Sequence, residues 1–396
     1  MKADFVLTSE SVTRGHPDKL CDQISDAIVD RFLSEDPLAR VRAECAVATG
    51  VVFIAARFAS TAQVDIPDVA RHVIREVGYE QGEFDATRCT IMTSLNEHAL
   101  NPLHRQDERH FTDDQIEALT VENQVTVFGF ASTQTEAYMP LPIWLAHRLA
   151  RRLDEVRLDH GLAYLSPDGK TQVGVEYRNR RPHRVHSIAL MASQREAGGP
   201  GPEALRRDLL DHVITPVFAA ENVRPDAQTR IFVNPEGTLV GGGPAAHSGL
   251  TGRKNAVDTY GEYSRNSGDA LSGKDPLRID RIGAYAARHA AKNVVAAGLA
   301  EECEVQLSYS IGLSRPVSVQ VETFGTGTVD DATLAHRLEN RFDLRLGGIV
   351  RRFDLRHLPA ERGGTFYRLL AAYGQVGRMD LDLPWESTAD RQLSRA

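Results

Sequence analysis

Apolar residues after Pro17 recur at three- and four-residue intervals, as Leu20, Ile24, Ala27, Ile28 and Phe32, and this spacing predicts a helix beginning near Pro17. Two short runs rich in Val and Ala, 42–49 and 51–59, read as strands, followed by a helix at 67–77 and a strand at 87–94. The same order returns as a helix at 143–158, hairpin strands at 172–177 and 183–191, a helix at 202–218 and a strand at 230–233. It returns again as a helix at 282–299, strands at 304–311 and 317–322, and a helix at 331–342. Three β-α-β-β-α-β units predict an α+β fold of three similar domains, each sheet covered on one face by helices. The repeat is one of pattern; the units share little residue identity.

Two segments interrupt this rhythm. Residues 97–124 form a long polar connector with Asn101-Pro102, His104 and His110, and connectors of this length are commonly lids or mobile loops. Residues 234–274 are rich in glycine, and the chain ends with Trp385 and a polar tail expected to be peripheral. The divisions are therefore an N-terminal domain at 1–100, a connector and possible lid at 101–124, a central domain at 125–235 and a C-terminal domain at 236–396.

Composition narrows the function. A chain of 396 residues exceeds one hydrophobic core, and 42% hydrophobic with 25% charged residues is ordinary for a soluble protein. The formal charge of −8 argues against a nucleic-acid partner, so any polyanion must bind a local basic pocket. No apolar run approaches the ~18 residues of a membrane span, and no signal segment is evident, so a cytoplasmic location is expected. Cys21, Cys45, Cys89 and Cys303 show no CxxC spacing and read as buried free thiols.

The chemistry concentrates in a few stretches. Thr8–Lys19 packs Glu10, His16, Asp18 and Lys19 ahead of the first helix, whose N-terminus favours anions. Gly249-Leu250-Thr251-Gly252-Arg253-Lys254 and Ser272-Gly273-Lys274-Asp275 each place cations after glycines, where backbone N–H groups can approach phosphate. Neither has the P-loop order. Asp18 and Asp280 offer the carboxylate oxygens that Mg²⁺ prefers. Pro167-Asp168-Gly169-Lys170 adds an acid–cation pair, although Pro-Asp-Gly is also good turn chemistry.

Taken with Tyr260-Gly261, Ala284–Arg288, Lys292–Leu299 and Glu322–Thr326, these stretches make the chain resemble the S-adenosylmethionine synthetase (methionine adenosyltransferase) family from about Phe5 to Trp385. The resemblance implies three interlaced α+β domains and a homodimer or homotetramer with active sites at the subunit interface. It implies that His16, Asp168, Lys170, Arg253, Lys254 and Lys274 hold ATP, with Ala270 beside the nucleotide. Asp18 and Asp280 match the Mg²⁺ acids, and Glu44 the acid near a K⁺ site. The implied reaction is attack on C5′ of ATP, expelling tripolyphosphate that is cleaved to pyrophosphate and phosphate. A polyanionic leaving group calls for concentrated positive charge and metal ions, which these residues supply.

The amino-acid end departs from the family. Arg57 stands where the resemblance places a glutamate toward methionine's ammonium group, and His247 where it places an aspartate. Asn123 replaces another aspartate in the run Glu122-Asn123-Gln124-Val125, His98 falls at a glutamine position, and Arg278 replaces a lysine. Three acids have become Arg, Asn and His, while those serving metal and phosphate remain. This sorting predicts an adenosyltransferase whose nucleophile is a small anionic molecule rather than methionine. The alternatives are a methionine adenosyltransferase with a rebuilt pocket, and a catalytically dead nucleotide-binding paralogue.

Overall fold

The computed structural model describes residues 4–80, 82–99, 101–195 and 199–388; the end of the polar tail, 389–396, lies outside the described residues. Its strands are β1 Phe5–Val12, β2 Arg40–Ala48, β3 Val51–Ala59, β4 Thr90–Glu97, β5 Val125–Ser132, β6 Leu165–Arg178, β7 Arg181–Gln194, β8 Arg230–Val233, β9 Gly249–Leu250, β10 Glu302–Tyr309 and β11 Ser318–Glu322. They form three sheets ordered β1-β6-β7-β8, β11-β10-β5 and β4-β3-β2-β9.

The interlacing has a simple rule. The first strand of each unit joins the sheet of another unit: β1 pairs with β6 of the second, β5 with β10 of the third, and β9 with β2 of the first. Each unit thus lends a strand to a neighbour, and cutting between units would open a sheet edge. The third unit also departs from the repeat after its helix Asp331–Arg341. It continues into the short helices Leu346–Phe353, Leu358–Glu361 and Tyr367–Leu370 instead of a closing strand.

Most predicted elements form with shifted ends. The long third-unit helix runs Ile279–Ala296, and the predicted helix at 202–218 is broken into Pro202–Leu209, a π-turn Leu210–Ile214 and Thr215–Ala219. Pro216 explains the break, because it has no N–H to continue the helical bonding. The connector is not featureless: it holds turns at Pro102–Arg105 and Glu108–His110 and a helix Asp113–Ala118 closed by a Thr112/Gln115 capping box. Arg356 fastens it to the C-terminal region through Glu108 and the His104 carbonyl, at 3.0 Å to the latter.

The expectation of a peripheral Trp385 is wrong. Its indole is fully buried, stacked on Tyr285 at 3.9 Å between ring centres, with its N–H donated to the Gln375 carbonyl. Sequence position near a terminus hides the aromatic contacts that only the folded chain supplies.

The long first helix, α1 Pro17–Glu35, organises the rest. Asp18, Asp22, Asp26 and Asp30 fall at four-residue intervals, so they share one face, and all are buried. Each receives backbone N–H groups from outside the helix: Leu250 on Asp18 and Gly252 on Asp22 from one loop, Gly273 on Asp26, and Phe366, Tyr367 and Arg368 on Asp30. Arg281 grips Asp26 with two nitrogens at 2.6 and 2.9 Å, while Lys19 pairs with Asp22 and Asp258. Burial pushes the Asp30 carboxyl up to about 7 in spite of its three N–H donors.

The cysteines Cys21, Cys45, Cys89 and Cys303 are buried and free, as expected. No helix among the described residues is long and apolar enough to cross a membrane.

Removing one partner of the fully buried Asp26–Arg281 pair strands a guanidinium. Asp26→Ala should therefore lower stability by ~3–5 kcal/mol, read as a fall in the thermal unfolding midpoint. An unfolding midpoint within a degree of the unmodified protein would show that the pair is not holding the two helices.

Candidate active site

The candidate residues collect in two groups within the chain. The first surrounds the N-terminus of α1. His16 caps the helix by accepting the Asp18 N–H at 3.2 Å, with Pro17 in the first turn. The loop carrying Arg253 and Lys254 wraps this end, and Gly249 is required there, since a Cβ would lie 2.2 Å from the Pro17 backbone. Arg253 and Lys254 reach Asp18 at 3.7 and 3.9 Å, and Lys254 also reaches Glu10 at 3.4 Å. Lys170 enters from β6, opposite Val12 of β1. Ala270 lies beneath Gly252 on the same loop system.

Asp168 and His247 complete this group. The turn Gly241–Gly243 has three successive positive φ angles of 82, 109 and 65°, which only glycine adopts readily. It delivers the Gly243 N–H to Asp168 Oδ2 at 2.9 Å and sets His247 Nε2 on the same oxygen at 2.8 Å. Asp168 Oδ1 is buried without a hydrogen-bond partner. The rings of His16 and His247 are 5.0 Å apart. His16, Asp168 and His247 form the one cluster of His, Cys, Asp or Glu among the described residues whose ligand atoms converge within 4.8 Å.

Burial pushes the His16 imidazole down to about 3, reinforced by His247, Lys170 and Lys254 and opposed by Asp168. His16 is therefore a neutral imidazole among cations. Burial raises the Asp168 carboxyl, but opposing interactions, the hydrogen bonds from His247 and Gly243 among them, more than offset it and hold it low.

The second group lies on the outer face of β2 and β3. Arg42 and Arg57 face each other across the strands, beside Glu44 and Ala55. With Ser94 and Asn96 they line a hollow of about 440 Å³. Glu44 is engaged by Arg42 at 2.6 Å, whereas Arg57 is exposed and has no ion-pair partner among the described residues. The backbone of Arg42 forms an isolated antiparallel β-bridge with that of Lys274. Lys274 pairs with Asp280 at 3.3 Å, and burial lowers its ammonium while Asp280 opposes. Asn123 donates to Asp280, and Arg278 pairs with Glu122 at 3.1 Å. His98 continues the β3–β4 pairing through its N–H to the Phe58 carbonyl at 2.8 Å, with its side chain exposed.

The expected metal acids are thus divided. Asp18 belongs to the first group, Asp280 and Glu44 to the second, and no three of them converge within the single chain. Arg42 was not singled out from the sequence, although its alternation with Glu44 on an exposed strand face was a readable signal. The tie from Tyr79 to the Gly15 carbonyl, at 2.5 Å, had no such signal. A separate hollow of about 710 Å³, between the helix Leu141–Leu158 and residues 373–380, holds none of the candidates. Its arginines Arg148, Arg151 and Arg378 are already paired with Glu221 and Asp380.

Comparison with known proteins agrees with this arrangement. Residues 4–100, 118–239 and 241–387 match the S-adenosylmethionine synthetase N-terminal, central and C-terminal domains. The S-adenosylmethionine synthase of Gloeobacter violaceus is 50% identical over 97% of this chain and 96% of its own length. That of Synechococcus elongatus is 48% identical, and that of Trichormus variabilis 49%, each over 98% of this chain and 96% of theirs. With all three domains present in order and relatives about half identical over nearly the whole chain, the chain belongs to the S-adenosylmethionine synthetase family of ATP-dependent adenosyltransferases.

Proposed function

We propose that this chain transfers the 5′-adenosyl group of ATP to methionine, releasing tripolyphosphate that is cleaved to pyrophosphate and phosphate. The names of relatives about half identical over nearly the whole chain support methionine as the acceptor. The observation that carries adenosyl transfer is the ring of Lys170, Arg253 and Lys254 around His16 at a helix N-terminus, a setting built for a polyanion.

In this reading Lys170, Arg253, Lys254 and Lys274 bind the triphosphate, with Asp168 and Ala270 at the nucleoside. The neutral His16 donates a hydrogen bond toward the oxygen that leaves C5′, where negative charge grows. Asp18 and Asp280 suit Mg²⁺, being hard oxygen donors beside phosphate-binding cations, and Glu44 suits K⁺. When bound, these ions neutralise the departing tripolyphosphate. Buried free thiols fit a reducing, cytoplasmic setting.

The two groups of residues would close on one ATP in a homodimer, or in a homotetramer built from it. Supporting this, the outer face of the β4-β3-β2-β9 sheet exposes Phe53, Met92 and Leu250 at 42, 53 and 46%, contiguous with Arg42 and Arg57. A second copy of the chain is the natural cover for such a face.

One observation favours a second reading, in which the acceptor is a small anion. The hollow beside Arg57 holds two arginines and a single carboxylate, Glu44, already paired with Arg42. It leaves no free acid for an ammonium group. A dead paralogue is the weaker reading, since the whole phosphate-binding set persists.

Turnover should require Mg²⁺ and give pyrophosphate plus phosphate, and Lys274→Ala should slow it at least ~100-fold. ADP or AMP as the main nucleotide product would sink C5′ transfer. Methionine-dependent product, measured by mass spectrometry at millimolar methionine, decides between the two acceptors. If the anionic reading holds, Arg57→Glu with Asn123→Asp and His247→Asp should raise methionine use above any single change. In sedimentation, the unmodified protein should be dimeric or larger, and Phe53→Arg should shift it toward an inactive monomer. An active, monodisperse monomer at micromolar concentration would contradict the interfacial site.

A further inference from the structure

We propose that His247, held by Asp168, is a general base that enables this site to adenosylate small thiols. The inference rests on adenosyl transfer from ATP and not on which acceptor is preferred.

The geometry is that of a base with its orienting acid. His247 Nε2 lies 2.8 Å from Asp168 Oδ2, so the ring directs its Nε2–H at the carboxylate and keeps its lone pair on Nδ1. No protein group hydrogen-bonds Nδ1 among the described residues, and the side chain is 36% exposed, open to a small molecule. Asp168 is itself fixed, by the Gly243 N–H at 2.9 Å, and its other oxygen is buried without a partner. The His247 N–H bonds the Gly243 carbonyl at 3.1 Å, so one glycine turn sets both members of the pair.

Its location supplies the function. Lys170, Arg253 and Lys254 mark where the polyphosphate departs, and His16 stands among them. His247 is one ring away from His16, at 5.0 Å between centres, so it borders the carbon from which that oxygen leaves. A structural ion pair would have no need to leave a ring nitrogen free at this border.

The chemistry selects the acceptor class. A thioether such as methionine attacks carbon without losing a proton and gives a base nothing to do. A thiol must lose its proton, and its usual pKa lies only about 2 units above that of an imidazole, whereas a hydroxyl is far out of reach. In the step, the thiol proton passes to Nδ1 and the sulfur pair forms the S–C5′ bond. The C5′–O bond breaks with its electrons leaving on tripolyphosphate. The imidazolium, stabilised by Asp168, then returns its proton to solvent. The product is a neutral 5′-thioether of adenosine.

The test compares a thiol that needs a base with one that does not. The full-length enzyme is given ATP, Mg²⁺, K⁺ and 3-mercaptopropionate, thioacetate or methionine, and adenosyl products are quantified by mass spectrometry. Thioacetate is already ionised at neutral pH. The unmodified enzyme should form the mercaptopropionate thioether. His247→Gln should lower kcat/KM for mercaptopropionate at least ~100-fold and for thioacetate less than ~10-fold. Asp168→Asn should bias the two thiols in the same direction. Equal losses with both thiols would reduce His247 to a positioning role and overturn the proposal. Transfer to methionine without any to thiols would overturn it too, while leaving adenosyl transfer standing. No adenosyl product from any acceptor would overturn both.

Discussion

The structure depends on a row of buried aspartates along one face of α1. A helix carrying four carboxylates at four-residue spacing should repel itself, by a few tenths of a kcal/mol per pair even in water and more when buried. The row persists because every member is satisfied from outside the helix. Asp18 and Asp22 take N–H groups of the loop 249–254, Asp26 takes Gly273 and Arg281, and Asp30 takes three N–H groups of 366–368. The C-terminal loops thus hold the helix, and the helix together with β2 places those loops in return. Two of the loops carry Arg253, Lys254 and Lys274, so the packing that satisfies the aspartates also places those cations.

The elements of local pattern were legible in the sequence, and the exchange of strands was not. Hydrophobic spacing marks α1, the β2–β3 pair and the β6–β7 hairpin, since each buries its own stripe or face. The donated strands β1, β5 and β9 pair across the units, and no local signal states a partner more than a hundred residues away. Trp385 looked peripheral for the same reason, its stacking partner Tyr285 being a hundred residues earlier. At the candidate site, the glycine-then-cation stretch Gly249–Lys254 was readable as a local pattern, and the structure does bring Arg253 and Lys254 to Asp18 at the N-terminus of α1. The His247–Asp168 pair was unreadable, since it requires the Gly241–Gly243 turn to fold back onto β6.

The division of charge in the site follows from burial. His16 sits among cations and would repel them if protonated, so burial and those neighbours together keep it neutral. That makes it a hydrogen-bond donor whose strength does not vary over neutral pH, which suits an oxygen gaining charge better than a group already paired. Lys274 is the converse: burial lowers its ammonium, and Asp280, with Asp269, opposes that shift.

Most cations of the two groups rest on an acid of their own chain. Lys254 leans on Glu10 and Asp18, Arg253 on Asp18, Lys274 on Asp280 and Arg42 on Glu44. These pairs let a chain of net charge −8 concentrate positive charge without tearing the site apart before substrate arrives. In the proposed reaction a polyphosphate would draw these cations away from the acids, so binding would exchange one set of ion pairs for another. Arg57, beside Arg42 on the same sheet face, stands outside this pattern: it is exposed and has no ion-pair partner among the described residues.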